Sequence, residues 1–231
     1  MMNMILHGIE SPNIIRTNTL EENIMDIQNK DRVDVILANP PFGGGEQTQV
    51  QENFPIKSGE TAYLFLQHFI KKLKSGGRAG IIIKDTFLSN LDAKLLRKEL
   101  LETCNLHTIL NLPRKVFTAG VKTIVLFFEK GVSTKKIFYY DLNLNRNLGL
   151  TNPLTKSDLT DFENLYSNKK DSLNSWFKNI SDINKETWDL KVNNPNQIEK
   201  IDTRTPKEIV DEIEEIELKT KKSLNKIKNL L

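Results

Sequence analysis

The chain has 231 residues, which fits one or two domains, and its 38% apolar content and mean hydropathy of -0.42 are typical of a soluble globular protein. Its net charge of +3, from 33 basic and 30 acidic residues, is too small to argue for or against nucleic-acid binding. The single cysteine, Cys104, excludes a disulfide framework and a cysteine-based metal cluster, and we expect it to be a small core residue. The sequence has no transmembrane run and no signal peptide, so we expect a cytoplasmic protein without membrane contact or metal.

Two short elements are predicted near the start of the chain. Met1–Ile9 is typical of a helix end stopped by Gly8, and Asn13–Arg16 predicts a short strand. The residues that follow this strand are Asn18, Thr19 and Leu20. Because ligands of doubly wound sheets bind at the carboxyl ends of strands, these three residues are candidates for a binding site. A turn or cap role for Asn18 explains the pattern equally well.

The most informative stretch is a buried strand that ends in a stiff polar turn. Val33–Ala38 is short, mostly apolar and β-branched, which is typical of a parallel strand covered on both faces. The residues after it are Asn39, Pro40, Pro41 and Phe42, followed by Gly43, Gly44 and Gly45. The amide offers an acceptor and two donors, the prolines leave their carbonyls free as acceptors, and the phenylalanine offers a flat ring.

These groups suit one class of ligand. Two acceptors beside an aromatic ring match a planar base with an exocyclic amine, and such a base must leave a duplex to reach them. The alternative is a Pro-Pro turn after a core strand, with no ligand at all.

Further helices and strands alternate after this turn. The polar loop over residues 43–59 is interpreted as a mobile flap, and the apolar spacing of Thr61–Lys74 predicts a helix in which His68 is packed or hydrogen-bonded. The elements predicted next are the strand Arg78–Ile83, the helix Asp92–Thr103, and the strands Leu106–Leu112, Lys122–Glu129 and Lys135–Asp141. This order predicts an α/β sheet whose last close pair of strands is antiparallel.

Several charged residues lie in the predicted loops. Asp85 is expected to be a solvated carboxylate. Arg114 and Lys115, in the predicted turn Pro113–Gly120, and Lys122 either contact DNA phosphates or are ordinary surface charges.

The composition changes after residue 141. Residues 142–204 are rich in Asn, Lys, Ser and Asp and predict a loop-rich extension, with Asp158–Phe162 and Trp176–Phe177 packed on the sheet. Residues 205–231 predict a helix that Thr205 and Pro206 open, with apolar residues near heptad spacing. Such a helix buries little by itself, so we expect it to bind a partner, although folding back on its own domain is the alternative.

Seven separated segments share one resemblance. They are Met2–Ile9, Asn18–Leu20, Asn39–Phe42, Thr61–His68, Gly76–Gly80, Gly120–Thr123 and Leu126–Gly131. Asn39–Phe42 resembles the catalytic motif of adenine-N6 DNA methyltransferases. All seven, in order, resemble the modification (methylation) subunit of type I restriction-modification systems.

The resemblance implies transfer of a methyl group from S-adenosylmethionine to N6 of adenine in DNA. Asn39 and the Pro40 carbonyl would hold the amine, Phe42 would stack on the flipped base, and Asn18–Leu20 would border the cofactor. The implied fold is a Rossmann-like, seven-stranded methyltransferase sheet over residues 1–141. The implied partners are DNA, a specificity subunit bound by the terminal helix, and a restriction subunit.

One departure from the family pattern affects these expectations. No Gly-x-Gly turn precedes Asn39, although the family uses such a turn to hold the methionine end of the cofactor. We therefore expect a partial sheet lacking its first two strands, with the Asn39 strand beside an unpaired position. An N-terminal methyltransferase polypeptide is then expected to complete the fold.

Two alternatives to this function are open. The first is a catalytically inactive remnant, or assembly module, that binds the specificity subunit. The second is transfer to a glutamine amide or a guanine amine, which Asn-Pro-Pro motifs also serve and against which Phe42 argues.

Overall fold

Six strands form one mixed sheet in the computed structural model, which describes residues 2–117, 120–197 and 205–228. The strands are β1 Val33–Ala38, β2 Leu73–Lys84, β3 Cys104–Asn111, β4 Thr123–Lys130, β5 Lys136–Asp141 and β6 Ser175–Asn179. Their order across the sheet is β1-β2-β4-β3-β5-β6. β1 and β2 are parallel, and β4 runs antiparallel to both β2 and β3. The α/β class and the antiparallel pair predicted from the sequence are therefore confirmed.

Helices pack on the sheet because their apolar residues recur at helical spacing. The helices are α1 Met2–Leu6, α2 Thr48–Gln51, α3 Thr61–Lys72, α4 Lys94–Thr103, α5 Thr160–Asn168 and α6 Pro206–Lys228. Leu66 of α3 and Leu100 of α4 are buried in one core cluster with Tyr139 of β5. The next residue along that strand, Tyr140, belongs to a second cluster with Phe162 of α5. Since consecutive strand residues point to opposite faces, α3 and α4 cover one face and α5 covers part of the other.

The strand that leads to Asn39 has an open side. Among the described residues β1 pairs with β2 and lies at the edge of the sheet. Two of its apolar side chains are unusually accessible, since Val35 is 49% exposed and Leu37 is 82% exposed. The unpaired position expected beside this strand is therefore confirmed, whereas the burial expected on both of its faces is wrong, since no residue of β1 is fully buried. An open apolar edge of this kind is a template for pairing with a further strand.

The strand predicted over Asn13–Arg16 is wrong. These residues have irregular backbone, and Ile14 and Ile15 are exposed. A strand is stable only when a neighbour satisfies its backbone groups, and no described strand pairs with this segment. The β-branched residues of this segment favour a strand, but no neighbouring strand among the described residues is there to pair with it.

The extension after residue 141 contributes more to the sheet than the sequence predicted. Trp176 and Phe177 were expected to pack on the sheet as patches, but they belong to β6, which pairs antiparallel with β5. The Trp176 ring stacks on Tyr139, with centroids 5.3 Å apart and planes 12° from parallel. The prediction failed because the strand has only five residues and lies between polar turns.

A buried arginine joins the extension to the rest of the sheet domain. Arg97 of α4 is 0% exposed and donates to the carbonyl oxygens of Trp188 at 2.6 Å and Thr187 at 2.9 Å. Its remaining bonds go to the carbonyl oxygens of Phe87 and Asn90, each at 2.7 Å. The Arg97 guanidinium therefore connects Thr187 and Trp188 of the extension to the turn that follows β2.

The chain divides into two compact units after Asn196, and α6 belongs to the second. Its start is fixed by reciprocal bonds: the Thr205 hydroxyl donates to the Glu208 carboxylate at 2.9 Å, and the Glu208 backbone N–H donates to that hydroxyl at 3.3 Å. The Thr205 backbone N–H also donates to the Glu208 carboxylate, at 2.6 Å, and this bond, followed by the one from the Thr205 hydroxyl, holds the pKa of Glu208 below its usual value. The predicted helix is confirmed over residues 207–228. Some residues of the predicted segments lie outside the described residues, namely 118, 119, 198–204 and 229–231. None of the described helices is long and apolar enough to span a bilayer.

Candidate active site

The Asn-Pro-Pro-Phe motif presents unpaired polar groups at the carboxyl end of β1. Asn39 is exposed, Pro40 is buried and Phe42 is half-buried, immediately beyond the last strand residue. Within the described residues neither the Asn39 amide nor the Pro40 carbonyl has a hydrogen-bond partner. The exposed Asn39 amide is therefore open to a ligand at the edge where ligands of α/β sheets bind, and the Pro40 carbonyl beside it is an acceptor without a partner.

An aromatic residue that the sequence did not single out lies against this motif. The ring of Phe117, in the connection between β3 and β4, is 5.3 Å from the ring of Phe42, centroid to centroid, with planes at 57°. A planar ligand between two rings needs a centroid separation of about 7 Å. The two rings contact each other, so a base entering between them displaces one. Phe117 was missed because only the fold brings the β3–β4 connection beside Asn39.

A cavity opens on the sheet surface next to Asn39. Its volume is about 370 Å³, and it is bounded by Leu37, Asn39, Gly80, Ile82, Val125 and Phe127. It is an open apolar depression and not an enclosed pocket, since Leu37 at its edge is 82% exposed. Here Asn39 is the polar group in an apolar surround.

The segment after Phe42 is anchored rather than free of structure. The sequence predicted a long loop over residues 43–59, but it contains α2, and its ends meet where the Glu46 N–H donates to the Gly59 carbonyl at 2.9 Å. The Thr61 N–H donates to the Gly44 carbonyl at 3.1 Å, and the Thr61 hydroxyl donates to the Glu46 carboxylate at 3.0 Å. The start of α3 therefore holds the glycines that follow the motif.

An ion pair supports the same turn from β2. Lys84, the last residue of β2, contacts Glu60 with 2.6 Å between Nζ and Oε1, and both side chains are less than one-third exposed. Gly43 has a φ of +81°, and a Cβ built on it would lie 3.5 Å from the Lys84 ammonium nitrogen. The backbone therefore turns into a conformation that favours glycine close to this ion pair.

We expect Gly44→Ala to destabilise the turn by about 2 kcal/mol, because overpacking a tight site costs about 1–3 kcal/mol. A Cβ at Gly44 would lie 2.5 Å from the Thr61 hydroxyl oxygen, a contact that something must relieve. Gly45→Ala is the matched control, since the nearest atom to its Cβ would be the Gly59 carbonyl oxygen at 3.9 Å. Urea unfolding of both variants measures the difference, and equal stabilities would contradict the packing described.

The second predicted group, Asn18, Thr19 and Leu20, forms a turn. The Asn18 side chain donates to Glu21 at 2.9 Å and accepts from the Leu20 N–H at 3.4 Å, while Leu20 is buried. The Asn53 amide donates to the Leu20 carbonyl at 3.1 Å. Asn53 belongs to the segment after Phe42, so this bond connects the Asn18–Leu20 turn to the segment that follows the motif.

The remaining predicted residues have simpler environments. Asp85 is half-buried and its N–H donates to the Lys122 carbonyl at 3.1 Å, whereas Arg114 and Lys115 are exposed. Burial raises the pKa of the Cys104 thiol to about 11, which fits the predicted core role rather than a nucleophile.

His68 is packed, as predicted from its place in the apolar stripe of α3. It is 6% exposed, and its Nδ1 has no hydrogen-bond partner among the described residues. Burial and, second, the nearby Lys72 lower the pKa of His68. In the described part of the chain no group of three or more His, Cys, Asp or Glu side chains is placed to hold a metal ion.

Comparison with known proteins identifies the family to which this chain is similar. Residues 1–204 match the N-6 DNA Methylase family. The chain is 36% identical to the Type I restriction enzyme EcoEI methylase subunit of Escherichia coli, over 99% of this chain and 49% of that protein. The chain thus spans about half the length of this curated relative.

Two solved structures agree with that match. A chain from a structure on complex assembly and conformational transition of the type I R-M system is 35% identical, with a TM-score of 0.77, covering 99% of this chain and 51% of that one. The Type I restriction enzyme EcoKI M protein is 34% identical with a TM-score of 0.62, covering 71% and 37%.

Proposed function

We propose a function from the premise that this chain belongs to the N-6 DNA Methylase family. It supplies the half of an adenine-N6 DNA methyltransferase that binds the target base, within the modification subunit of a type I restriction-modification complex. The observation that carries the proposal is the unpaired Asn39 amide and Pro40 carbonyl beside the rings of Phe42 and Phe117. The match to the N-6 DNA Methylase family supports the choice of DNA adenine as the substrate, and the similarity to the EcoEI methylase subunit supports the placement in a type I restriction enzyme.

The chemistry assigned to the motif requires no general base in the transfer step. Asn39 Oδ1 and the Pro40 carbonyl oxygen accept the two hydrogens of the adenine amine, which withdraws the nitrogen lone pair from the ring and makes it more nucleophilic. Phe42 stacks on the extruded base and fixes its orientation. When bound, S-adenosylmethionine would supply the methyl group and leave as S-adenosylhomocysteine, and the methylated amine would lose one proton to solvent.

The cofactor fits this chain only in part. Asn18–Leu20 are proposed to border its adenine, and the bond from Asn53 to Leu20 keeps them connected to the segment after the motif. No Gly-x-Gly turn for the methionine end precedes Asn39 in the sequence. We therefore propose that a polypeptide equivalent to the unmatched half of the relatives supplies that turn, and that it pairs with the open edge of β1.

Further partners follow from the proposed complex. Arg114, Lys115 and Lys122 lie in the β3–β4 connection, whose Phe117 contacts Phe42 of the motif, and they are proposed to contact DNA phosphates. A specificity subunit selects the DNA sequence and binds α6, and a restriction subunit joins the same complex. The complex is proposed to act in the cytoplasm.

The proposal is tested by methylation of DNA that lacks modified adenine. The chain, a polypeptide homologous to the other half of the EcoEI methylase subunit from the same genome, and the specificity subunit are mixed with S-adenosylmethionine carrying a labelled methyl group. We expect label on adenine N6, identified after digestion to nucleosides. Label on cytosine or guanine, or no label from an assembled complex, would contradict the proposal.

Deleting residues 207–231 is expected to weaken binding of the specificity subunit by at least about 100-fold, because the apolar side chains of α6 would supply the centre of the contact. Size-exclusion chromatography with light scattering measures the complex. Circular dichroism of the shortened chain controls for folding of residues 1–196. An unchanged complex would remove α6 from the interface.

The second candidate function is an assembly module without catalysis. The exposed apolar stripe of α6 favours it, since Ile213 and Ile216 are each more than half exposed. The methylation assay separates the two candidates because an assembly module forms the complex and transfers no label.

A further inference from the structure

We propose that α6 binds the α6 helix of a second copy of this chain in antiparallel orientation. The first observation is a narrow apolar stripe. Its positions are Ile209, Ile213, Ile216, Thr220, Leu224 and Ile227. At 3.6 residues per turn these positions fall within an arc of about 80°. Ile213, Ile216, Leu224 and Ile227 are each more than half exposed, so the stripe is available for contact.

The one polar residue of the stripe does not oppose burial. The Thr220 hydroxyl donates to the Ile216 carbonyl within the same helix at 2.9 Å. Its polar group is therefore satisfied without a partner across the interface, and its methyl group can face the partner helix. The Ser223 hydroxyl, beside the stripe, likewise donates to the Lys219 carbonyl at 3.1 Å.

The distribution of charge along α6 favours an antiparallel copy of the same helix as its partner. Residues 207–217 contain six acidic residues and one lysine, whereas residues 218–228 contain five lysines and no acidic residue. A parallel pair would place like charges side by side along its whole length, and an antiparallel pair places each acidic half beside a basic half. A second copy supplies the complementary helix at equal concentration.

The spacing of the stripe permits this register. Ile213 and Ile227 lie seven residues either side of Thr220, and Ile216 and Leu224 lie four residues either side of it. Two antiparallel copies centred there place Ile213 opposite Ile227, Ile216 opposite Leu224 and Thr220 opposite the same residue of the other copy. The same register brings Glu212 of one copy near Lys228 of the other and Glu217 near Lys222. The pairing requires no DNA, cofactor or other subunit. It uses the stripe that the proposed function assigns to the specificity subunit, so one α6 helix makes only one of these two contacts at a time.

Sedimentation equilibrium of the full chain tests the pairing. An interface of two helices is at the small end of specific interfaces, so we expect a dimer with Kd of about 10–100 µM that weakens as salt is raised. Two triple variants reverse charges in one half of the helix. The first carries Glu214→Lys, Glu215→Lys and Glu217→Lys, and the second carries Lys219→Glu, Lys221→Glu and Lys222→Glu. Each is expected to weaken association about tenfold or more. Mixing the two variants is expected to restore a dimer. A wild-type monomer, or no restoration on mixing, would overturn the proposal.

Disulfide trapping tests the orientation. Ile213→Cys and Ile227→Cys are made in separate chains, and the natural Cys104 does not interfere because it is 0% exposed. Antiparallel pairing places position 213 of one copy opposite position 227 of the other, so oxidation of the mixture is expected to give mostly the mixed dimer. Predominant cross-linking of the Ile213→Cys chain to itself would indicate a parallel pair and overturn the proposal. An Ile213→Asp, Ile216→Asp variant controls for association through the open edge of β1, and a dimer that survives in it would also count against α6.

Discussion

Asn39→Ala is expected to lower DNA methylation by about 10³-fold in the assembled complex, the loss typical of removing one preorganised polar contact to a reacting group. The amide is exposed and, within the described residues, unpaired, so its removal leaves no buried group unsatisfied. The melting temperature is therefore expected to stay within about 2 °C of wild type. The measurement is the rate of label transfer at saturating S-adenosylmethionine.

The matched control for this variant is Asn145→Ala. Asn145 is also exposed, and it lies in the extension, away from the motif in sequence. We expect the control to methylate at the wild-type rate. Retention of methylation by Asn39→Ala, to within about tenfold of the control, would remove the side chain from the mechanism.

Arg97→Met is expected to lower the free energy of unfolding by about 4 kcal/mol. The guanidinium donates four hydrogen bonds to backbone carbonyls at 2.6–2.9 Å, and methionine of similar length leaves all four carbonyls without this donor. Each buried unsatisfied carbonyl costs about 1–3 kcal/mol, and partial hydration on relaxation keeps the total below the sum. Burial lowers the pKa of Arg97, and the charges of Asp189 and Tyr63 oppose that shift.

The control is Lys98→Met on the next position of the same helix. Lys98 is about half exposed and lies 3.9 Å from Glu102, so its loss is expected to cost less than about 0.5 kcal/mol. Urea unfolding measures both variants. Limited proteolysis of the Arg97 variant is expected to cut first near Thr187 and Trp188, because these residues lose their anchor. A variant within about 1 kcal/mol of wild type would contradict the anchoring role.

The sequence predicted the elements whose signal is local. The apolar spacing of α3 and α4 and the run before Asn39 each correspond to an observed element, with differences of a few residues at the ends. The end of the Asn39 strand was predicted because two prolines cannot continue a ladder. Helix α6 was predicted from Thr205, Pro206 and the apolar repeat, and the structure adds the reciprocal bonds of Thr205 and Glu208.

Features that depend on distant parts of the chain were missed. Nothing local distinguishes Arg97 from the exposed Lys98, since its four acceptors lie 7–91 residues away. Phe117 reaches Phe42 only because β4 lies beside β2 and directs the β3–β4 connection to the same edge. The strand expected at Asn13–Arg16 failed for the same reason, since propensity does not supply a neighbouring strand.

The direct test of the account is calorimetric titration of S-adenosylmethionine into this chain, first alone and then with the polypeptide homologous to the other half of the EcoEI methylase subunit. We propose that the base-binding groups lie in this chain and that the glycine-rich cofactor turn lies in the other polypeptide. We therefore expect no saturable binding by the chain alone and binding with Kd below about 1 mM once the two are combined. Saturable binding by the chain alone, or none by the combined polypeptides, would contradict the proposal.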